Sequence, residues 1–408
     1  VGPVAVRRER ARAMTVIVNA VAAKMGGGAT YLRELARELA SRPLAHRFIF
    51  YVPPEQAGLG ADLPGHIEWR VTGAGHSGAL RRFWWDQVTL RRQLKRERAD
   101  VLVSLADFGQ LHCPVPQLLT VQNSTHFSDL FRAHVLTRKG WRFRLAFGLR
   151  RWLVCRLARE ADAVMTPSAS LLAMVRGAVL VPDGKAMVNP FGAPAHREGD
   201  SIPSRDYSGT IRLLFPTYYA DNKNFRTALQ ALRLLRQRHE ARFRLVTTAD
   251  PRWELARTTA TWKGDLELLE NLSREGAVET LGLLPHDRLL ALYRECHLMC
   301  YPTLTESFGL PLLEAMQAGL PVVASDIAVN RELARDAAVY FDPLDPAQLA
   351  SRIEEVAGDP ALRAALQERG ERYAREFSWA QHTDRLIRRL EELAGQPAPP
   401  AERPAGAP

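Results

Sequence analysis

Two carboxylates and one ammonium are the groups in this sequence best placed to do chemistry. Glu306 and Glu314 stand with seven residues between them in YPTLTESFGLPLLEAMQAGLPVVASDIAVNRE, residues 301–332. Glu306 falls in a polar cluster that ends a short apolar run. Glu314 falls about one turn inside an apolar helical segment, LPLLEAM. A lone glutamate on a helix is ordinarily just solvated. Glu314 differs, because an unpaired carboxylate is costly to bury among apolar neighbours. Between the two, Ser307, Phe308 and Gly309 let the backbone approach a ligand closely. A helix starting at Leu310 offers free N–H groups to an anion. A phosphate on those amides and sugar hydroxyls on Glu306 make a coherent site, each hydroxyl-to-carboxylate bond contributing roughly 1.5–3 kcal/mol. Lys223 follows Thr217 in the polar loop TYYADNKN and stands where another helix begins, so a cation and free N–H groups converge there. Taken alone, Lys223 reads better as a solvated helix-terminal lysine.

The elements that must position these groups alternate. Residues 298–303 and 321–325 read as short buried strands around a helix over 310–318, with Pro311 in its first turn and Gly319 just past its end. Earlier, 15–21 reads as a strand, Gly26, Gly27 and Gly28 as a loop, and 30–40 as a helix. This is the first unit of a Rossmann-like domain, although the spacing is neither Gly-x-Gly-x-x-Gly nor a P-loop. Three glycines making a plain tight turn is the competing reading. Further strands fall at 48–52, 67–71, 101–105, 118–121 and 162–166, with a basic helix over 80–98. The pattern predicts α/β architecture with parallel sheets. Residues 211–216 begin a second set: a helix over 225–239, strands at 243–248, 278–282 and 339–342, and a charged helix over 254–275. Residues 345–377 read as helical, and 378–393 as an amphipathic helix. The Pro- and Ser-rich stretch 196–208 reads as a hinge.

TESFGLPLLEAMQAGLPVVAS resembles the signature of the retaining glycosyltransferases of family 4, which have the GT-B fold of two Rossmann-like domains facing each other across a deep cleft. The resemblance implies an N-terminal acceptor domain over 14–195, a C-terminal nucleotide-sugar domain over 206–377, and a helix over 378–395 that crosses back. It implies that Glu306 contacts the donor sugar and Glu314 the nucleotide ribose. Lys223 matches the lysine of the family's phosphate clamp. The arginine usual before it is missing, since its place falls near Pro216 or Thr217; an arginine borrowed from elsewhere, or a weaker clamp, follows. The glycine loop is expected to face the cleft. Family members carry a histidine after the strand that here ends at 121, but Gln122 and Asn123 stand there and His126 comes later. Asn123 positions a hydroxyl without taking a proton. His126 reads either as acceptor-side or as an ordinary loop histidine. Glu332 either touches the donor region or makes a surface salt bridge.

The implied reaction moves a hexose, of mannose or glucose type, from a nucleoside diphosphate sugar to a glycan or lipid-linked acceptor, as in polysaccharide assembly. No Asp-x-Asp occurs, so neither a metal nor any other cofactor is expected. The rivals are a phosphorylase or donor hydrolase on the same fold, and a catalytically silent sugar-nucleotide-binding protein. Glu306→Ala is expected to lower turnover far more than stability.

The 408 residues suit two domains, and 46% hydrophobic with 25% charged residues is ordinary for a globular chain. No apolar run is long enough to span a bilayer, and no secretory pattern opens the chain. Four cysteines without a Cys-x-x-Cys pair read as reduced core thiols, hence a cytoplasmic expectation. Cys296 and Cys300 flank His297 but fit a core better than a metal. The net charge of +10 favours phosphorylated ligands, anionic lipid or nucleic acid without choosing; no recognition motif supports nucleic acid as a partner. Within 138–159, eight residues are Arg or Lys and none is acidic, interleaved with Trp141, Phe143, Phe147 and Trp152. That composition fits either an anionic membrane surface or a partly buried helix with snorkelling arginines. Residues 1–13 and 396–408 are expected to be disordered, with Met14 an alternative start.

Overall fold

A computed structural model describes residues 13–24, 26–105, 107–194, 204–250, 252, 259 and 261–395. The expected hinge at 196–208 lies largely outside these residues, as do both expected disordered ends apart from Ala13.

The chain forms two parallel sheets. The first takes β1 (Thr15–Asn19), β2 (Arg47–Val52), β3 (Ile67–Val71), β4 (Val101–Ser104), β5 (Gln117–Thr120), β6 (Ala163–Thr166) and β7 (Ala186–Val188), in the order β3-β2-β1-β4-β5-β6-β7. The second takes β8 (Ile211–Phe215), β9 (Phe243–Thr247), β10 (Val278–Thr280), β11 (Leu298–Tyr301), β12 (Val322–Ser325) and β13 (Ala338–Phe341), in the order β10-β9-β8-β11-β12-β13. The strand order of each sheet reverses once, between β1 and β4 and between β8 and β11. Loops diverge at such points and leave a crevice at the carboxyl ends of the strands. The central strands β4, β5, β6, β11 and β12 are buried throughout. Helices covering both faces of a parallel sheet demand this near-continuous apolar run.

Three predicted elements differ from the observed ones. The first helix runs Gly26–Ala40, so the glycines are its first turn rather than a loop before it. The basic helix is broken into Ala79–Trp84, a π-helical turn Trp85–Thr89, and Leu90–Arg96. The helix predicted over 254–275 is described only as Trp262–Arg274.

The final helix, Trp379–Leu393, packs on the first lobe. His382 bonds the Tyr31 hydroxyl (3.1 Å) and the Pro190 carbonyl (3.0 Å). Phe191 stacks on Trp379, and a side chain at Gly192 would collide with the Trp379 amide. Burial pushes His382 down to about 4, so this knot holds a neutral imidazole.

The lobes also touch beside the crevice. Glu332, on the helix Ala328–Ala334, accepts from the Ala169 and Ser170 amides, both at 2.7 Å. It therefore caps the helix Ala169–Arg176 across the gap rather than making a surface salt bridge. A carboxylate is favoured at that positive helix end. Glu332→Ala is expected to cost about 1–2 kcal/mol and to raise the KM for donor, since it loosens the closed arrangement. Thermal unfolding and initial rates check this; an unchanged melting curve would show the contact to be idle.

Candidate functional site

The loop after β8 and the loop after β11 are laced together. The Leu304 amide donates to the Asn222 carbonyl (2.8 Å), and Asn224 Nδ2 donates to the carbonyls of Pro302 (2.9 Å) and Pro343 (2.7 Å). Asn224 itself is left-handed (φ 54°), a conformation asparagine tolerates better than most side chains. It ends the short turn Asp221–Lys223 and starts the helix Phe225–His239. This reversal turns Lys223 back over the sheet, where its Nζ donates to Glu306 Oε1 at 2.6 Å. Both side chains are about nine-tenths buried. Burial works against the Lys223 charge, but the Glu306 carboxylate outweighs it and holds the ammonium above its ordinary value. The ammonium also sits 5.4 Å from the centre of the Tyr218 ring.

Gly309 has φ 96°, where any other residue would be strained, and leads into the helix Leu310–Gln317. Pro311 has no N–H and the Leu312 and Leu313 amides donate to the Gly309 carbonyl (2.9 and 3.1 Å), which leaves the Leu310 amide without a partner in its own helix. Ser307 gives its carbonyl to Ser168 Oγ of the other lobe (2.7 Å). The Phe308 ring is buried against Phe191 and Phe377. Only its backbone is left to meet a ligand; the ring anchors the loop. Thr217 is fixed through its backbone, its amide donating to Thr248 Oγ1 (2.8 Å) and its carbonyl accepting from the same hydroxyl (2.7 Å).

Glu314 is buried and accepts from the Tyr293 hydroxyl at 2.7 Å. Burial raises its carboxyl to about 7, while Arg33 of the first helix draws it back and Glu34 pushes it up. The carboxyl therefore senses charges on the opposite lobe. Arg33 was not among the residues picked from sequence. Its Nε donates to Glu34 Oε1 at 3.1 Å, while its Nη2 is buried without a hydrogen-bond partner. The one hint was the arginine absent near Pro216.

From the first lobe, Gly26 and Gly27 meet the site. A Cβ on Gly26 would lie 3.9 Å from the Tyr218 ring, and one on Gly27 would lie 3.9 Å from Leu310 Cδ1. A Cβ on Gly28 would instead lie 3.6 Å from Ala23 Cα of its own lobe, because successive helical residues point in different directions.

Asn123 is exposed and uses its Oδ1 to accept from the Thr125 amide (3.1 Å) and hydroxyl (2.6 Å). His126 is buried 5.2 Å from Phe147, and burial with Arg150 and Arg151 lowers it to about 4. It is a neutral ring and a weak proton acceptor. Asp107 went unnoticed in the sequence. It is left-handed (φ 72°), buried, and accepts from the Gln122 and Asn123 amides (2.7 and 3.1 Å). Burial raises it to about 6. It shapes the loop that follows β5.

A GT-B crevice with two carboxylates and a lysine on one lobe and a glycine turn on the other defines a class of sugar-transferring enzymes. Residues 25–197 match the family described as Glycosyltransferase Family 4, and residues 203–373 match Glycosyl transferases group 1. The chain belongs to the family 4 glycosyltransferases. The O-antigen chain mannosyltransferase B of Escherichia coli is 34% identical over 165 residues, covering 40% of this chain and 42% of that protein. A D-inositol 3-phosphate glycosyltransferase of Salinispora arenicola is 37% identical over 134 residues, covering 32% of this chain and 29% of that protein. This chain thus spans less than half the length of those relatives. Two solved structures share the fold: sucrose-phosphate synthase from Thermosynechococcus elongatus, with TM-score 0.72 at 17% identity over 94% of this chain and 99% of that one, and WaaG, a glycosyltransferase involved in lipopolysaccharide biosynthesis, with TM-score 0.67 at 17% identity over 94% and 100%.

Proposed function

We propose that this chain moves a hexose, with retention and without a metal, from a nucleoside diphosphate sugar to a hydroxyl of a growing glycan or lipid-linked acceptor. The observation that carries the reading is the buried Lys223–Glu306 pair at the reversal point of the second sheet. An ammonium has three N–H bonds. Lys223 keeps one on Glu306 and turns the others to the donor phosphates. Charge develops on the leaving diphosphate, and Lys223, the amides at Gly309 and Leu310, and Arg33 in place of the missing clamp arginine oppose it. Glu306 accepts from the donor sugar. The diphosphate oxygen takes the acceptor's proton, since neutral His126 is a weak base. The name of one relative, an O-antigen chain mannosyltransferase, supports a mannose-type donor and a glycan acceptor.

The test is product analysis with UDP-glucose and GDP-mannose, with and without saccharide acceptors. Transfer supports the reading. Release of free hexose alone favours a donor hydrolase, and donor binding without turnover favours the silent reading, for which the vacant arginine position at Pro216 and Thr217 speaks.

Glu314 gives a pH signature. Its folded pKa lies above the ordinary 4.5, so its contribution to stability is full below about 4.5 and is lost as the pH rises through about 7. Ribose hydroxyls need the ionised carboxylate as acceptor. Affinity for a nucleoside diphosphate hexose is therefore expected to rise with pH, by up to about tenfold per unit below 7, and to level off above. Calorimetry across that range checks it, and Glu314→Gln should flatten the curve; a wild-type curve already flat removes Glu314 from the site.

The helix Trp141–Glu160 carries a second proposal, docking on an anionic membrane surface. It buries Phe147, Val154, Leu157 and Ala158 but exposes Trp141, Leu145, Leu149 and Trp152 along one side. Among the described residues no helix is long and apolar enough to cross a membrane. Flotation with anionic vesicles should retain the protein at low salt and release it at high salt; no retention at any salt ends this proposal.

A further inference from the structure

The turn that presents Lys223 is held from the opposite lobe. Lys139 Nζ lies 2.7 Å from Asp221 Oδ2, and only 7% and 16% of the two side chains is exposed. Asp221 and Lys223 are the first and last residues of one short turn. The Lys223 amide closes it on the Ala220 carbonyl (3.0 Å), and the Asn224 amide on the Asp221 carbonyl (3.3 Å). Residues locked in one turn move together, so a contact that fixes the Asp221 carboxylate also fixes the base of the Lys223 side chain.

Lys139 is itself held in place. It is extended (φ −87°, ψ 149°), between the turn Leu136–Arg138 and Gly140, which opens the helix Trp141–Glu160. Its amide donates to the Leu136 carbonyl (3.1 Å), and its ammonium sits 5.2 Å from the centre of the Phe143 ring. Close by in the chain, Phe131, Val135 and Phe147 form an apolar seat for Leu304, two residues before Glu306. One stretch of the first lobe, residues 131–147, therefore supports both halves of the Lys223–Glu306 pair. An ion pair holds the turn of the lysine, and an apolar seat holds the loop of the glutamate.

Stability does not account for the ion pair. A pair this dry gains little over apolar side chains in the same place, whereas it does select one arrangement. The seat at Leu304 already joins the lobes at this point. What the ion pair adds is a fixed position for the turn, and a cation facing a diphosphate in a low-dielectric crevice is most effective when it is placed before the charge develops.

We propose that Lys139 is a positioning residue for the transfer: through Asp221 it sets Lys223 against the donor diphosphate from the opposite lobe. It rests on the reading of Lys223 as the phosphate-binding cation. The test is a double-variant cycle on the full chain, read by calorimetric titration with UDP and GDP and by hexose transfer. Lys139→Met is expected to weaken binding of the preferred nucleotide about fivefold and to lower kcat about tenfold. Asp221→Asn, which breaks the same bond from the other lobe, should match it. In the Lys223→Met background, Lys139→Met should change neither quantity, since a residue that acts only through Lys223 then has nothing left to position. If Lys139→Met does not fold, Lys139→Met/Asp221→Asn carries the same cycle with no charge stranded. Equal losses in both backgrounds would make the pair a plain tether between the lobes, and no loss in either would make it idle; both overturn the proposal. A Lys223→Met variant that binds nucleotide as well as the wild type, or a wild-type chain that binds neither nucleotide, defeats the clamp reading and this proposal together. Nucleotide binding without sugar transfer defeats only the transferase reading, and the titrations still decide the role of Lys139.

Discussion

Lys223→Met is expected to lower turnover by about 10²–10³-fold, because it removes the cation nearest the developing diphosphate charge in a low-dielectric crevice. It also strands Glu306 as a buried, unpaired carboxylate. Breaking a buried pair in this way costs about 3–5 kcal/mol, so the single variant loses both activity and stability. The double variant Lys223→Met/Glu306→Gln separates the two losses. With both charges gone, most of the stability should return while turnover stays low. Steady-state rates and chemical unfolding of the same preparations read this directly. Recovery of turnover along with stability would show that the pair only holds the loops together.

Glu306→Gln is the second large effect, expected at about 10²-fold in turnover. Glutamine keeps the shape and an oxygen for Lys223 but no longer offers the sugar a carboxylate. The expected profile is a fall in kcat with a smaller change in donor KM, since the carboxylate matters most as the sugar gains positive character. The pairing with Lys223 also revises the simpler expectation for Glu306→Ala. That variant leaves a buried ammonium without its partner, so it costs stability as well, and the glutamine variant is the cleaner probe. Wild-type turnover in Glu306→Gln with a working donor and acceptor would remove Glu306 from the chemistry.

How far the sequence revealed this arrangement follows from how local each feature is. The loop and helix carrying Glu306, Gly309 and Glu314 lie within one strand–helix–strand unit, and spacing alone placed them. The same holds for the parallel sheets, whose short apolar runs must be buried on both faces. The Lys223–Glu306 bond joins residues 83 apart and depends on left-handed Asn224, which no periodicity announces. Arg33 and Glu332 matter through contacts with the opposite lobe, and lobe closure has no signature in one chain's pattern. Phe308 looked like a ligand-facing residue beside a glycine, but packing against Phe191 and Phe377 claimed its ring. The π-helical turn was invisible because the basic helix around it reads as continuous.

The terminal helix and the interlobe contacts share one consequence. Glu332 over the helix Ala169–Arg176, Ser168 on Ser307, and Leu304 among Phe131, Val135 and Phe147 all join the lobes close to the crevice. Under the proposed reading, a donor gripped from the second lobe would meet a loop already held against it by the first. Asp107 adds to this by fixing the Gln122 and Asn123 amides.

Most directly, the account is tested by a crystal structure of the Glu306→Gln variant with an intact nucleoside diphosphate hexose. The account predicts the diphosphate on Lys223 and the Gly309 and Leu310 amides, the hexose against residue 306, and the ribose hydroxyls on Glu314. A donor bound elsewhere, or bound here with its hexose turned away from residue 306, would contradict it.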